Sequence, residues 1–539
     1  MNALISRRSR LAAALLASAL AVTACGANND GTTGAGSDTL SKEAAFTDGL
    51  VGTDSGGTPQ QGGTLTVADF GEPRSMDPTV TYANGATGGS ALAAIYDELV
   101  RYDYTSKTYV PELAESLTGA KNNTVWTLKL RKGLTFTNGQ PVDAAAVLGS
   151  LGYYESKYGF QSNLLLANIA SMKPTDDLTV VFTLRSPWSG FPNMLAQGPG
   201  MIMAPAAYAN AKSFKPIGAG PFVFGSYAPG ESLVLNANKS YFAGAPHLDA
   251  LKFVWIGGTD DQAKVDALDS GAADVAFLRD PSVVTKQRRS GGSGVMFATG
   301  LADDLWINTR TGHPGSDLLV RKAIAAAFDD ASYVQRTSDG AGIATASLFG
   351  PGSPWYTEAP SAYDTDQAKQ LFAQAQAKGF DGKINYTYSA SPAAQTGAVL
   401  VKAMLEAVGF KVSLVPLRSV ADQVQKLYVD HDFDLAVAAT SVPDVDPYSR
   451  LASAFGAQSP VNLTGWSSPK MDGLLARLQA KDTPEQGKAI MAQIQQEFLD
   501  QVPGISIDAG GTFEAWNSDV HGIEPNTEQM VLFTDAWKG

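Results

Sequence analysis

PIGAGPFVFGSYAPGESLVLNANKSYFAGAPHLDALKFVWI, residues 216–256, is the stretch whose reading decides the fold. Gly218, Gly220 and Pro221 turn the chain at its start. Phe222, Val223 and Phe224 are strand formers, and Tyr227 closes their run. Ala228, Pro229, Gly230 and Glu231 supply a second turn, with Pro where φ is already set. Leu233, Val234 and Leu235 begin the return strand, so the pair reads as a hairpin. A last strand follows at 251–256, where Leu251, Phe253 and Trp255 alternate with Lys252 and Val254. Physics alone makes this one edge of a mixed sheet with a tight glycine-rich corner.

The wording of the stretch adds to that reading. Ile217-Gly218-Ala219-Gly220-Pro221-Phe222, Pro229-Gly230-Glu231 and Asn238-Lys239-Ser240-Tyr241 together resemble a marker of the extracytoplasmic solute-binding proteins of ABC importers, family 5. That group takes up peptides, nickel chelates and some sugars. The family's Thr is Ala219 here, and its Arg before Asn is Ala237. A second block, Pro111 to Ser116 with Trp126 to Phe136 and the turn pair Asn138-Gly139, resembles the family as closely. A third is Val320-Arg321-Lys322-Ala323-Ile324, closed by Asp329-Asp330 rather than Asp-Arg.

The resemblance implies an α/β fold of two lobes, periplasmic-binding-protein-like (type II, the large cluster C form), with an extra subdomain on the first lobe. Lobe I is expected at 62–105, 201–304 and 505–539, the extra subdomain at 106–200, and lobe II at 305–504. The residue patterns agree with an α/β chain. A strand opens the body at 62–68, and an apolar helix is predicted over 91–100. Another strand is read at 305–309, and one helix at 318–334 behind a cap at Asp317. From 366 to 438 helix and strand alternate, which implies a mostly parallel sheet covered on both faces. Within it, the helix at 395–408 is read with Val399, Met404 and Ala407 inward.

The chain has 539 residues, 44% of them hydrophobic, and a formal net charge of −13. That suffices for two or three packed units. So acidic a surface opposes nucleic acid and anionic headgroups. The lone cysteine, Cys25, excludes an intramolecular disulfide, and the four histidines are scattered. The sequence contains no zinc-protease, phosphate-loop, dinucleotide or nucleophile-elbow motif. No cofactor, metal site or catalytic residue is assigned.

Arg7, Arg8 and Arg10 precede an apolar run at 11–22, the layout of a secretory signal. It ends in Val22-Thr23-Ala24-Cys25-Gly26, which resembles the bacterial lipobox. Residues 1–24 therefore read as a lipoprotein signal peptide and Cys25 as the acylated residue. Residues 25–61, poor in large apolar side chains, read as a disordered tether. Together these place the protein on the extracytoplasmic face of the cell membrane, lipid-anchored and not spanning it.

The resemblance supplies candidate ligand contacts. Tyr82 and Asn84 follow Asp77-Pro78, where the family's first lobe faces its ligand. In peptide-binding relatives a Trp and an Asp precede a Pro in the second lobe, and the Asp pairs with the ligand's α-ammonium. Counting back from Pro447, the Trp position is Thr440 and the Asp position is Pro443, one residue short of Asp444. Trp306, Asn308 and Trp466 complete the set, the two tryptophans as stacking walls. The expected role is a monomeric receptor that passes a small solute, peptide or peptide-like, to ABC permease transmembrane subunits. The same role for an oligosaccharide, an aromatic acid or a metal chelate stays open. So does a ligand sensor for a membrane kinase; a secreted hydrolase lacks a recognisable constellation.

Overall fold

The computed structural model describes residues 40–52, 56–210, 213–390, 392–418 and 420–539. The segment read as a signal peptide, residues 1–24, and Cys25 lie outside the described residues. Ten strands form the path of one large sheet: β1 (Thr64–Ala68), β2 (Phe222–Ala228), β3 (Ser232–Ala237), β4 (Ala250–Val254), β5 (Val275–Leu278), β6 (Ser293–Ile307), β7 (Lys383–Ser389), β8 (Lys411–Leu417), β9 (Leu435–Val437) and β10 (Gly504–Trp516). Their order is β8-β7-β9-β6-β10-β5-β1-β4-β3-β2. A separate four-stranded antiparallel sheet is built from segments between Ala114 and Leu184, and its core is continuous with side chains such as Tyr448, Leu451 and Phe455.

The hairpin expected at 222–237 is present, with β2 at the sheet edge and a bulge between Val234 and Leu235. The corner before it owes its glycines to a close approach. A Cβ on Gly218 would lie 2.2 Å from the Ile95 carbonyl oxygen, and one on Gly220 would lie 2.4 Å from that of Ala94. Those carbonyls end the helix Gly89–Tyr96, and Gly220 N–H donates to Ile95 O at 3.0 Å. Helix ends leave carbonyls that need such donors. Asn238 then pins the corner, its Nδ2 donating to Gly220 O at 2.9 Å. The helix predicted over 91–100 thus stops at Tyr96, because Asp97 takes φ +60° and starts the turn into the next strand.

Two strands cross between the lobes. β6 and β10 run antiparallel, in register from Ser293↔Trp516 to Thr299↔Gly510. Pairing breaks there and resumes at Asp303↔Asp508. Leu301 sits in the break at φ +48°. On one side of it β10 pairs with β5, and on the other β6 pairs with β9. The strand expected at 305–309 is therefore only the tail of β6. Beyond it, β7 pairs parallel with both β8 and β9, as the alternation predicts.

Three local expectations are corrected. The helix read at 318–334 is two, Leu318–Ala327 and Asp330–Thr337. Asp329 divides them by accepting from Ser332 N–H at 3.0 Å and the Ser332 hydroxyl at 2.6 Å, an N-cap that competes with helix continuation. In the helix Pro392–Glu406, Ala398, Val401 and Leu405 face the core, while Val399 is 55% exposed. The segment read as tether is ordered from residue 40: a short helix, Lys42–Ala45, precedes the strand Gly49–Val51, which pairs with β6. Arg288 holds it, donating to the carbonyls of Ala44 and Ala45 at 3.0 and 3.1 Å. Among the described residues no helix is long and apolar enough to cross a membrane, and no cluster of metal-ligating side chains occurs.

Candidate functional site: a cavity between the lobes

Ligands in α/β sheets bind beyond the carboxyl ends of strands. A cavity of about 410 Å³ lies there for both lobes at once. Phe70 follows β1, Thr259 follows β4 and Arg279 follows β5; from the other lobe come Ala439 and Ser441 after β9. The floor is the break in the crossover pair, with Asp303 on β6 and Asp508 on β10. Tyr333 of the helix Asp330–Thr337 closes one wall.

The charges around it fall into two groups. Asp261 is consumed locally, taking Lys264 Nζ at 2.9 Å, Asp280 N–H at 2.6 Å and the backbone N–H of Arg279. Lys264 is fully buried and also donates to Phe277 O at 3.0 Å. The Phe70 ring lies between two cations, with Lys264 Nζ 4.8 Å and Arg279 Cζ 5.2 Å from its centre. Arg279 and Asp303 are the second group. Burial raises the Asp303 carboxyl to about 6, against the pull of the Arg279 charge. Burial lowers the Arg279 guanidinium, against Asp303 and Asp261. Asp508 is raised well above the carboxylate range by burial, although Ile343 N–H donates to it at 2.7 Å.

The residues singled out from sequence lie elsewhere. Tyr82 and Asn84 are brought together at Glu528, whose Oε2 accepts from Tyr82 Oη at 2.6 Å and Asn84 Nδ2 at 3.4 Å. Arg450 donates to the same oxygen at 2.6 Å and sits over the Tyr82 ring at 4.6 Å, while Phe160 stacks on that ring. Trp306 is 3% exposed, packed on Phe455 and Phe498, with Nε1 donating to Ala438 O at 2.9 Å. Trp466 packs edge-on against Phe455, with ring centres 6.0 Å apart. Both tryptophans are core. Asn308 is fully buried and ties down a loop, donating to the carbonyls of His431 and Phe433 at 2.9 Å. Thr440 and Ser441 both donate their backbone N–H to Leu301 O, at 3.1 and 3.0 Å, and it is Ser441, at φ +50°, that lines the cavity.

Asp444 borders a different space, a void of about 10 Å³ walled by Glu43, Phe46 and Ser353. Ser353 donates to its Oδ1 at 2.7 Å and Trp355 Nε1 to its backbone carbonyl at 2.8 Å. Burial raises its carboxyl to about 7, against the Ser353 hydrogen bond. Asp446, two residues on, caps the helix Pro447–Phe455. Of the cavity residues, Asp303 carried a usable signal in sequence, a charged pair set in the apolar run Leu301-Ala302-Asp303-Asp304-Leu305-Trp306. Arg279 carried little, since a charge after a strand is ordinary.

Two lobes sharing a sheet through a broken crossover pair, with a mainly apolar cavity carrying a few charged side chains at the break, define the class of two-lobed binding proteins. Residues 108–460 match the model of the bacterial extracellular solute-binding proteins, family 5, middle portion. The chain belongs to that family, whose members are transport receptors and not enzymes. It is 26% identical over 502 residues to a probable di/tripeptide-binding protein 5 of Pseudomonas aeruginosa, covering 87% of this chain and 94% of that protein. To the oligopeptide-binding protein AppA of Bacillus subtilis it is 23% identical over 516 residues, covering 90% and 93%. The solved structure of the periplasmic binding protein DppA from Helicobacter pylori, in complex with the peptide STSA, shares the fold with a TM-score of 0.77 at 23% identity, over 89% of this chain and 98% of that one.

Proposed function

We propose that this protein captures a short peptide in the interlobe cavity and hands it to the permease of an ABC importer. The observation that carries the reading is Asp303. It is a half-buried carboxyl on the cavity floor, set where the crossover strands change register, and so placed to meet a ligand amine as the lobes close. Closure about such a break is the hinge motion expected of two lobes around a ligand. The cavity volume lies in the range of small-molecule sites, roughly 300–1,000 Å³. The names of the relatives point the same way. The break at 299–303 also supports lobes divided near residues 304 and 504, with 106–200 as an added subdomain.

In this reading the chain acts as a monomer at the extracytoplasmic surface, held by a lipid on Cys25. The test of the ligand is a melting-point series against di- and tripeptides, oligosaccharides, aromatic acids and nickel chelates. A binder stabilises the native state by mass action, so the melting point rises with its concentration. Peptides should raise it; a rise confined to the other classes would refute the peptide assignment. Cys25→Ser should move the protein from the membrane fraction to the soluble one, and retention on the membrane would remove Cys25 as the anchor.

A further inference from the structure

One edge of β6 is shared between the lobes. Residues 294–296 pair there with the strand Gly49–Val51, residues 299–300 with Val442–Pro443 of lobe II, and residues 305–307 with β9. The hand-over from the first partner to the second falls where the crossover pair breaks. Asp48 bridges the gap, its Oδ1 accepting from Ala298 N–H at 3.0 Å. A strand edge presents backbone groups that need partners, and here a carboxylate takes the donor lying between the two short strands. The segment 40–52 therefore ends its hold on β6 where lobe II begins its own.

Its attachments to the two lobes differ in kind. Arg288, on the helix Pro281–Arg289, donates to the carbonyls of Ala44 and Ala45, and Arg289 Nε donates to Leu40 O at 3.2 Å. Ala45 and Phe46 are buried in a core with Val265, Leu278, Met296 and Phe513 of lobe I. Toward lobe II the segment packs. Ile343 lies on the same core, and Glu43 and Phe46 share a void of about 10 Å³ with Gly350, Ser353 and Asp444. A Cβ on Gly352 would lie 3.7 Å from Thr47 Cα, an ordinary van der Waals contact. Rotation at the break carries Gly352 and Asp444 against Phe46 and Thr47, and either parts this packing or compresses it. Both directions cost free energy, since parting exposes apolar surface and a close-packed interior resists compression. We propose that residues 40–52 are a strap across the hinge, fixed to lobe I and bearing on lobe II, which limits how far the lobes open. The strap rests on lobes that move about the break and on no particular ligand.

The experiment measures the distance between the lobes by pulsed electron paramagnetic resonance, with no ligand added. Cys25→Ser removes the one natural thiol, and spin labels go to Lys239→Cys on lobe I and Lys369→Cys on lobe II, both exposed. The strap is erased in the full chain by replacing residues 41–51 with an equal run of Gly and Ser. The interlobe distance distribution should then shift to longer values and broaden about twofold, as a hinge does when a restraint is lost. A second label pair within lobe I, Lys239→Cys with Asp269→Cys, should keep its distribution. Melting points check the fold. If the replacement does not fold, the double variant Arg288→Ala with Phe46→Ala takes its place, because it removes the two strap carbonyl bonds and the side chain at the void. An unchanged interlobe distribution in whichever of the two folds would overturn the strap. So would equal broadening of the lobe I pair, which would make the segment a support of lobe I alone. Neither result bears on the peptide reading, which the melting-point series tests separately.

Discussion

Two neighbouring regions of the interior hold buried charge and treat it in opposite ways. Around Glu528 every group has a partner: Tyr82, Asn84 and Arg450 converge on one carboxylate oxygen. Asp444 is enclosed by Glu43 and Phe46, with Oδ1 held by Ser353 and Oδ2 buried without a hydrogen bond among the described residues. Across the crossover strands, Arg279 and Asp303 face a cavity of about 410 Å³, with Asp303 accepting from the Asp304 backbone N–H and Arg279 resting on the Phe70 ring. Burial, charge and a displaced pKa are common to Asp444 and Asp303. Access separates them, and access is what a binding residue needs. The enclosed region is the one to which a structural role falls, and the open one is the candidate for a ligand.

The sharpest break of this comparison is Arg450→Ala. It leaves Glu528 buried without its cation, so the fold should lose about 3–5 kcal/mol. Denaturant unfolding would show it, and a loss below about 1 kcal/mol would mean that Glu528 is not internally saturated.

Asp444→Asn comes next and acts through pH. The folded carboxyl keeps its proton to about 7, against an ordinary value of 3.8. Ionisation is thus penalised in the fold, and the stability it withholds grows as pH rises from near 4 toward 7. The variant removes that penalty. Its melting-point advantage over the parent should widen between about pH 4.5 and 7.5, by an amount worth about 4 kcal/mol at most. A constant gap would show that Asp444 ionises normally.

Asp303→Asn should reverse the pattern. Unliganded stability at neutral pH should hold or rise, because burial already disfavours the ionised form. Peptide affinity should fall by about 2 kcal/mol, the worth of a hydrogen bond to a charged group. Unchanged affinity in calorimetry would take Asp303 out of the site. The smallest effect belongs to Phe70→Leu, which removes the ring behind Arg279. A cation–π contact is worth about 1 kcal/mol, so affinity should drop several-fold with little change in fold.

These regions were unequally legible in the sequence. The corner at Gly218 and Gly220 was readable because its requirement is local and steric: no side chain fits against the end of the helix Gly89–Tyr96. The alternation of helix and strand from residue 366 gave the parallel order of β7, β8 and β9 for a similar reason. β6 was half missed because most of its residues are buried on both faces, so no alternation marks it. The helix Pro392–Glu406 was read with its face turned although Gln395, Lys402 and Glu406 mark its outer side, because Val399 shares that side and its apolar character drew the reading outward.

The site was the least legible part. Trp306 and Trp466 looked like ligand walls and are core, where large aromatics most often serve. Tyr82 and Asn84 were drawn from the family pattern, yet their partner Glu528 lies more than four hundred residues away. Asp444 was the nearest acid to the expected position in sequence, and the ordered segment at 40–52 covers it in space. Arg279 and Asp303 acquire meaning only when two lobes bring them to one cavity, and neither spacing nor periodicity encodes that meeting.

The most direct measurement is a crystal structure of the protein grown with trialanine. The account predicts the peptide between Phe70 and Tyr333, with its amine at Asp303. A peptide bound instead beside Asp444 or Glu528, with the cavity holding only water, would contradict it.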